Sequence, residues 1–535
     1  MSNTAIATDN PNVHASETGV IPKHNPGTGK LLYALEEPSQ DDIRSVFSRS
    51  QAAYEKIRAM SIPERLAEVA KIKRYFLEHK EELVSALVEE TGKARFDALV
   101  SEIFTVLDII DYYEKNAEKM LSPQTVPTPI ILWPKKSKIY FEPMGPVLVI
   151  APWNYPLNLA MLPVITAFVA GNSIVFKPSE WTPLRGLVEK IIAESGFIKD
   201  AIQVVYGGKE TGRKLIDQRP AKILFTGSTR AGKEIMAQAA QYLIPLELEL
   251  GGKDPMVVFD DVDIDRTAIG ATWGAMMNAG QTCTSVERIL VHERIYTPFI
   301  AAMKQKMESL KHAAHGPHDH DHCNLDVGYM TTPFQIEKIE EQIADAQAKG
   351  AEVMVGGSRK ADSQAFPPTL VVNVDEKMKI ISDETFGPVV TVQKFATEDE
   401  AIRLANDTPY GLSASVWTSD MTRAERVARK IVTGNVSINN VLATQGNSAL
   451  PFGGTKESGF GRYKGPYGLQ SFSNIKSVMF DTGKQIEMHW FPYTREKYDL
   501  FSKMIDAVYG GSPVWLLKTL AIAMKLQKVV KNSKL

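Results

Sequence analysis

Cysteine is almost missing from this chain: Cys283 and Cys323 are the only two in 535 residues. That excludes a disulfide framework and suits a reducing, cytoplasmic setting. A buried cysteine with no such role is usually inert packing, so each thiol stands for chemistry or for chance. An excess of charge of either sign is also missing. Lysine and arginine number 61 against 63 acids, a net charge of -2, which offers no basic field to nucleic acid. No apolar run is long enough to span a bilayer, and the opening MSNTAIATDNPNVHASETG has neither the basic nor the apolar region of a secretory leader. No repeat of fixed period occurs. What is present is the balance of a globular chain, 44% hydrophobic and 23% charged, at a length that leaves room for two or three domains.

Residues 1–20 read as a mobile polar tail, and Asn25-Pro-Gly-Thr-Gly29 as a tight turn. From Ser39 the spacing turns helical, with Ser39 and Asp41 as candidate caps and Ile43, Phe47, Ala53 and Ile57 recurring at helical intervals. Further helices carry the chain to about Met120. Pro123, Pro127, Pro129 and Pro134 then punctuate two apolar runs, Ile130–Trp133 and Lys138–Phe141, which predict a hairpin. It is either an arm reaching a partner subunit or a hairpin packed on its own domain.

Beyond Gly145 short apolar runs alternate with helical stretches. Strands are predicted at Val147–Ile150, Ser173–Phe176, Ile202–Val205, Lys222–Phe225 and Pro255–Phe259, with helices between them. This alternation implies an α/β fold in which a parallel sheet is covered on both faces and ligands sit beyond the carboxyl ends of its strands. A second α/β region runs from about Asn278 to 450, with strands at Arg288–Val291, Glu352–Val355, Thr369–Val372, Val389–Val392 and Ala414–Trp417. Cys283 opens that region, where a cleft between two domains would form.

Several strand ends carry polar groups that a cofactor or an acyl transfer could use. Ala151-Pro-Trp-Asn-Tyr-Pro156 places the amide of Asn154 where it could donate to an oxyanion or cap a helix. Phe176-Lys-Pro-Ser-Glu180 offers Lys177 and Glu180 to ribose hydroxyls or to each other; a carboxylate accepts a 2′-hydroxyl and repels a 2′-phosphate. Phe225-Thr-Gly-Ser-Thr-Arg-Ala-Gly232 joins a strand end to a helix start through Gly227 and Gly232, leaving amides and the Ser228 hydroxyl for a pyrophosphate. In Leu248-Glu-Leu-Gly-Gly-Lys253, Glu249 lies between apolar residues and glycines, a setting for a sequestered general base. Asn278-Ala-Gly-Gln-Thr-Cys-Thr-Ser285 surrounds the thiol with small polar residues.

Taken in order, PWNYP, KPSE, FTGSTRAG, ELGGK, GQTC, ETFGP and PFGG resemble the motif set of the NAD(P)-dependent aldehyde dehydrogenase superfamily over roughly residues 20–485. The resemblance implies a modified Rossmann cofactor domain (21–122 and 146–277), an α/β catalytic domain (278–455) and a β-hairpin oligomerisation arm (123–145 and 465–482). Position by position, it implies Cys283 as nucleophile, Glu249 as general base and Asn154, with the Cys283 N–H, as oxyanion donor. It further implies Trp153, Lys177, Glu180, Gly227, Ser228, Gly232, Glu384 and Phe386 as cofactor contacts, with Glu384 on the nicotinamide ribose and Phe386 as a wall of the nicotinamide site. The expected cycle is thiolate attack on an aldehyde, hydride transfer to NAD and hydrolysis of a thioester. Glu180 favours NAD and leaves NADP open, and a homo-oligomer, most simply a dimer, is expected. CoA-acylating chemistry is disfavoured because Glu249 supplies a base for water.

Two stretches depart from that pattern. Lys311–Cys323 gathers five of the ten histidines, two aspartates and the second cysteine; it reads as a polar exposed loop, with no metal required. Residues 495–535 extend past the family's end, and no acid follows Asp506 although Lys518, Lys525, Lys528, Lys531 and Lys534 do. With Trp515, Leu516, Leu517, Leu520, Ala523 and Met524 at helical spacing, this stretch reads as a basic amphipathic helix similar to the tails of fatty aldehyde dehydrogenases. Such a helix lies in a membrane interface, here the inner face, or packs on the protein. The expectation is oxidation of an apolar aldehyde, aliphatic or aromatic. Succinic semialdehyde stays open, as does a membrane-bound scaffold with a relict site.

Overall fold

The computed structural model describes residues 20–315, 323–361, 363–484, 486–511 and 513–532. Most of the predicted N-terminal tail and the centre of the histidine-rich loop, 316–322, lie outside the described residues. The described chain forms two compact units, one of residues 1–122 with 141–475 and one of 123–140 with 476–535.

The larger unit is α/β and holds two sheets. In the first the strand order is Gly459–Phe460, Leu246–Glu249, Lys222–Thr226, Pro146–Ile150, Ser173–Lys177 and Ile202–Val204. All neighbours are parallel except the first pair. Ser173–Lys177 is buried from end to end, and Pro146–Ile150 and Lys222–Thr226 at all but one terminal residue each, as a parallel sheet covered by helices on both faces demands. From Pro146–Ile150 the order runs outward to Ser173–Lys177 on one side and to Lys222–Thr226 on the other. The carboxyl ends of these strands therefore flank a topological switch point, the crevice where open α/β sheets hold ligands.

The second sheet orders Glu352–Val355, Thr369–Val372, Val389–Phe395, Val286–His292, Asp254–Val258, Ser413–Trp417 and Asn435–Ile438, parallel except for its first pair. One strand assignment changes here. The run at 255–259, grouped by sequence with the nucleotide half, pairs with Val286–His292 and Ser413–Trp417 in the second sheet. The chain thus crosses between sheets at Lys253–Asp254. Periodicity identifies a strand but not its partners, and two consecutive parallel strands read alike whether they share a sheet or not.

The helix Gln40–Ile57 starts at Ser39 in a full capping box with Asp42. In the smaller unit the predicted hairpin is shifted. Ile130–Leu132 is a 3₁₀ turn, and the strands are Gln124–Val126 and Lys136–Pro143, antiparallel, with Ser473–Phe480 on the far side of the latter. Pro127 and Pro129 lie between the strand Gln124–Val126 and that turn, where neither has an N–H to continue a ladder. Residues 465–471, expected within the arm, form a helix, Gly465–Ser471, that belongs to the larger unit. Two helices, Arg495–Tyr509 and Trp515–Asn532, pack together at the C-terminus.

Candidate active site

Glu249 is the last residue of Leu246–Glu249 and is fixed on both sides. It pairs with Gly459 across the edge, and its carbonyl accepts from the Gly227 N–H at 3.0 Å. The following Leu-Gly-Gly-Lys carries the chain against the cysteine loop. A Cβ on Gly252 would lie 2.2 Å from the Cys283 carbonyl oxygen, so only glycine permits that approach. The same Gly252 donates its N–H to Glu384 Oε1 at 2.9 Å. Three residues far apart in sequence, Glu249, Cys283 and Glu384, are thereby gathered around one glycine pair.

The cysteine loop is held in an unusual shape. Asn278 and Ala279 have φ of 54° and 55°, a left-handed conformation that costs energy in non-glycine residues and is kept only where the surroundings impose it. They do so here. Buried Asp97 accepts the Asn278 N–H at 2.9 Å, the Asn278 amide donates to the Asn154 carbonyl at 3.1 Å, and the Gln281 carboxamide bonds to Asn278 and to Thr331. Asn154 joins from the first sheet by donating its side-chain amide to the Gln281 carbonyl at 2.9 Å. That uses one of its two N–H groups and leaves the other.

The electrostatics are dominated by burial. Glu249 is 3% exposed, and neither of its carboxylate oxygens has a hydrogen-bond partner among the described residues. Burial and then Glu247 push it well above the ordinary carboxylate range, against Arg462. Burial followed by Asp254, Glu249 and Glu384 raises the Cys283 thiol above its usual value, opposed by its own backbone N–H. Glu384 is pushed up to about 7 by burial, with Lys338 opposing and Glu287 adding to the rise.

The cofactor candidates flank the switch point. Ser228 caps the helix Thr229–Ala240, accepting from Ala231 N–H at 3.3 Å. Its hydroxyl oxygen is thus engaged by the helix, and the free N–H groups of the first turn are the donors offered to an anion. A Cβ on Gly232 would lie 2.6 Å from Leu250, so this glycine lets the helix start sit close to the strand after Glu249. Lys177 and Glu180 are 3.6 Å apart, with Lys177 Nζ also donating to the Pro178 carbonyl. Trp153 meets Phe386 edge to face at 5.3 Å and Phe334 at 6.4 Å; Trp181 lies 5.2 Å from Phe334. Phe386 itself has φ 54° and donates its N–H to Glu287. A glycine-bordered helix start, an acid held by a backbone amide and an aromatic wall around one crevice fit a dinucleotide.

Several supporting residues escaped the sequence reading. Lys93 pairs with Glu102 at 2.6 Å and donates to the Asn154 carbonyl at 2.9 Å, while Glu102 accepts the N–H groups of Leu157 and Asn158. Lys253 pairs with Glu287 at 2.6 Å and bonds to Thr385, placing the turn that bears Glu384. Phe334 and Trp181 complete the aromatic cluster. Apart from the Lys93–Glu102 pair, nine residues apart, their partners lie tens of residues away, so no local spacing announces them.

The aldehyde dehydrogenase family model matches residues 13–478. The chain is 38% identical over 491 residues to 4,4'-diapolycopene aldehyde oxidase of Methylomonas sp, covering 91% of each chain. It is 34% identical to a mitochondrial succinate-semialdehyde dehydrogenase of Oryza sativa subsp. japonica, covering 87% of each. Among solved structures, the Mycobacterium tuberculosis aldehyde dehydrogenase complexed with NAD+ is similar at a TM-score of 0.81 and 32% identity, over 88% of this chain and 96% of that one. This chain belongs to the aldehyde dehydrogenase family. It is an oxidoreductase acting on the aldehyde group with NAD or NADP as cofactor.

Proposed function

We propose that the protein oxidises an apolar aldehyde to its carboxylic acid with NAD, through a thioester on Cys283 that water hydrolyses. Cys283 gives up its proton to water and attacks the carbonyl carbon as the thiolate, the C=O π bond opening to an oxyanion that the second N–H of Asn154 and the Cys283 N–H stabilise, an interaction typically worth about 3–4 kcal/mol. The bound nicotinamide supplies the hydride acceptor. When a dinucleotide is bound, Lys177 and Glu180 would meet the adenosine ribose, the turn Gly227–Gly232 the pyrophosphate and Glu384 the nicotinamide ribose, with Trp153 and Phe386 walling the ring. In deacylation Glu249 takes a proton from water as its oxygen bonds to the thioester carbon, and the C–S bond breaks to return Cys283.

The observation that carries the apolar substrate is the helical segment from Arg95 to Leu121. Through Asp97 and Glu102 it supports Asn278 and the Asn154 turn. On its other side it exposes Phe96, Leu99, Val100 and Phe104, Phe96 to 67% and Phe104 to 61%. Spaced at i, i+3, i+4 and i+8, these form an exposed apolar stripe on the same segment that braces the Asn154 and Asn278 turns. A π-helical turn, Leu99–Phe104, lies in the middle. The relative that acts on 4,4'-diapolycopene aldehyde is consistent with this reading. A carboxylate-bearing aldehyde such as succinic semialdehyde is the second reading, favoured by the buried Lys464, which donates to the carbonyl of Gln445, whose amide bonds to Thr284 beside Cys283. A screen of NADH production across aliphatic chain length, aromatic aldehydes and succinic semialdehyde, with NAD and NADP in parallel, tests it. kcat/KM rising with chain length is expected; a maximum at succinic semialdehyde favours the second reading, and CoA-dependent turnover removes the hydrolytic step.

Two assembly readings accompany this. Ser473–Phe480 is an edge strand of a three-stranded sheet and exposes Met479 and Phe480, which suits pairing with a second copy in a homodimer. The helix Trp515–Asn532 exposes Trp515, Leu516, Leu517, Leu520 and Met524 and carries lysines without an acid, which suits the surface of an anionic membrane. Among the described residues no helix is long and apolar enough to cross one.

A further inference from the structure

The strand that ends in Glu249 carries a second buried glutamate that the reaction above leaves idle. Side chains alternate along a strand, so Glu247 and Glu249 project from the same face of Leu246–Glu249. Glu247 is anchored. Lys222 Nζ lies 2.8 Å from its Oε2 and 2.8 Å from the Ser471 carbonyl, and the Ser471 hydroxyl donates to the same Oε2 at 2.9 Å. The ammonium also sits 4.6 Å from the centre of the Phe472 ring. These contacts satisfy one oxygen only. Glu247 Oε1 and both oxygens of Glu249 are buried and unpartnered among the described residues, so one strand face presents three bare carboxylate oxygens. Core carboxylates kept for packing are paired, and bare ones call for an explanation.

Glycines fit the backbone over this face. A Cβ on Gly461 would lie 2.5 Å from Glu247 Cγ, and one on Gly453 would lie 2.9 Å from Glu249 Oε1 and 3.0 Å from Arg462 Nη1. Besides Glu247, the charged and titratable groups facing Glu249 are Arg462, Tyr463 and Cys283. Arg462 Nη1 is turned to the carbonyls of Gly454 and Gly461, at 2.8 and 2.6 Å. Glu247 faces Lys222, Tyr113 and Tyr463 as well. A fixed like charge opposes ionisation of Glu249 and so increases its affinity for a proton, which is what a base that must take one from water requires.

We propose that Glu247, anchored by Lys222 and Ser471, is a positioning residue for thioester hydrolysis whose fixed negative charge strengthens Glu249 as the base. The inference rests on Glu249 acting as that base. Its test is the steady-state pH profile of Glu247→Gln with saturating NAD and aldehyde, normalised by the NADH burst, which counts folded, acylating sites. Glu249 works only when deprotonated, so removing the charge moves the rising limb toward acid, by roughly half to one pH unit, and lowers the plateau several-fold while the burst keeps its amplitude. Glu247→Asp restores the limb. The double variant Lys222→Gln, Glu247→Gln, which leaves no lone ammonium, shows the same direction, because Lys222 is turned to Glu247 Oε2 and the Ser471 carbonyl and makes no contact with either oxygen of Glu249. A limb at the parental position with a full burst overturns the role of Glu247. Undiminished turnover in Glu249→Gln would instead remove the base itself, and the two failures are read from different variants.

Discussion

Cys283 sits in a field that holds its proton on: burial and the carboxylates of Asp254, Glu249 and Glu384 all act in that direction. A cysteine kept as the thiol is protected from adventitious alkylation until its surroundings change. Cys283→Ala is expected to abolish NAD reduction with every aldehyde, and residual dehydrogenase turnover would refute the assignment. Glu249→Gln should separate the two halves of the cycle, with a stopped-flow NADH burst retained and steady-state turnover lowered by roughly 10²-fold or more. Glu384 makes a pH prediction. Its folded value of about 7 means that it gains a proton as pH falls through neutrality, and a neutral carboxyl is a poorer acceptor for ribose hydroxyls. NAD affinity measured by calorimetry should therefore weaken several-fold from pH 8 to 6, and Glu384→Gln should bind weakly at both.

Among the elements, the segment from Arg95 to Leu121 couples packing to chemistry most directly. Its buried Asp97 holds the Asn278 N–H and so fixes the left-handed turn before Cys283. Burial pushes Asp97 up to about 6 against the help of that N–H and of Lys93. A carboxyl raised above its unfolded value stabilises the fold at low pH, and that contribution is lost as pH rises through about 6. Asp97→Asn keeps an acceptor without the charge. It should melt above the parent at pH 8, by up to roughly 2–3 kcal/mol of stability, with the gain about halved near pH 5 and gone only below about pH 4, where the unfolded carboxyl is protonated too. A difference in melting that does not change with pH would show that the carboxylate carries no such cost.

For the molecule as a whole, the α/β unit and the unit containing the C-terminal helices raise different questions. Met524 and Leu517 are each 69% exposed on a helix with Lys518, Lys525, Lys528 and Lys531, an arrangement that loses free energy in water and gains it at an anionic interface. Flotation with liposomes containing anionic lipid should carry the full chain upward and leave behind a chain truncated before Ser512, with high salt weakening the effect. Equal soluble fractions would remove the membrane reading and leave the helix as a surface for another protein.

How much was legible follows from range. Cys283, Glu249, Asn154 and the turn Gly227–Gly232 stood out in the sequence because each lies in a short motif whose chemistry is local, a glycine pair, a strand end or a helix start, whereas Glu384 was reached only through the family resemblance. The hydrophobic pattern by itself determined an α/β fold with parallel strands, since period and run length are properties of neighbouring residues. Only the tertiary structure decided which sheet received Asp254–Val258, that Ile130–Leu132 is a 3₁₀ turn, and that Lys93, Asp97, Glu102 and Glu287 brace the turns bearing Asn154, Asn278 and Glu384. Those contacts join residues as far as 181 positions apart, as Asp97 and Asn278 are. Burial likewise exists only once the chain is packed, so the unpartnered oxygens of Glu247 and Glu249, and the field that holds the proton on Cys283, arise from the fold and leave no mark in the order of residues.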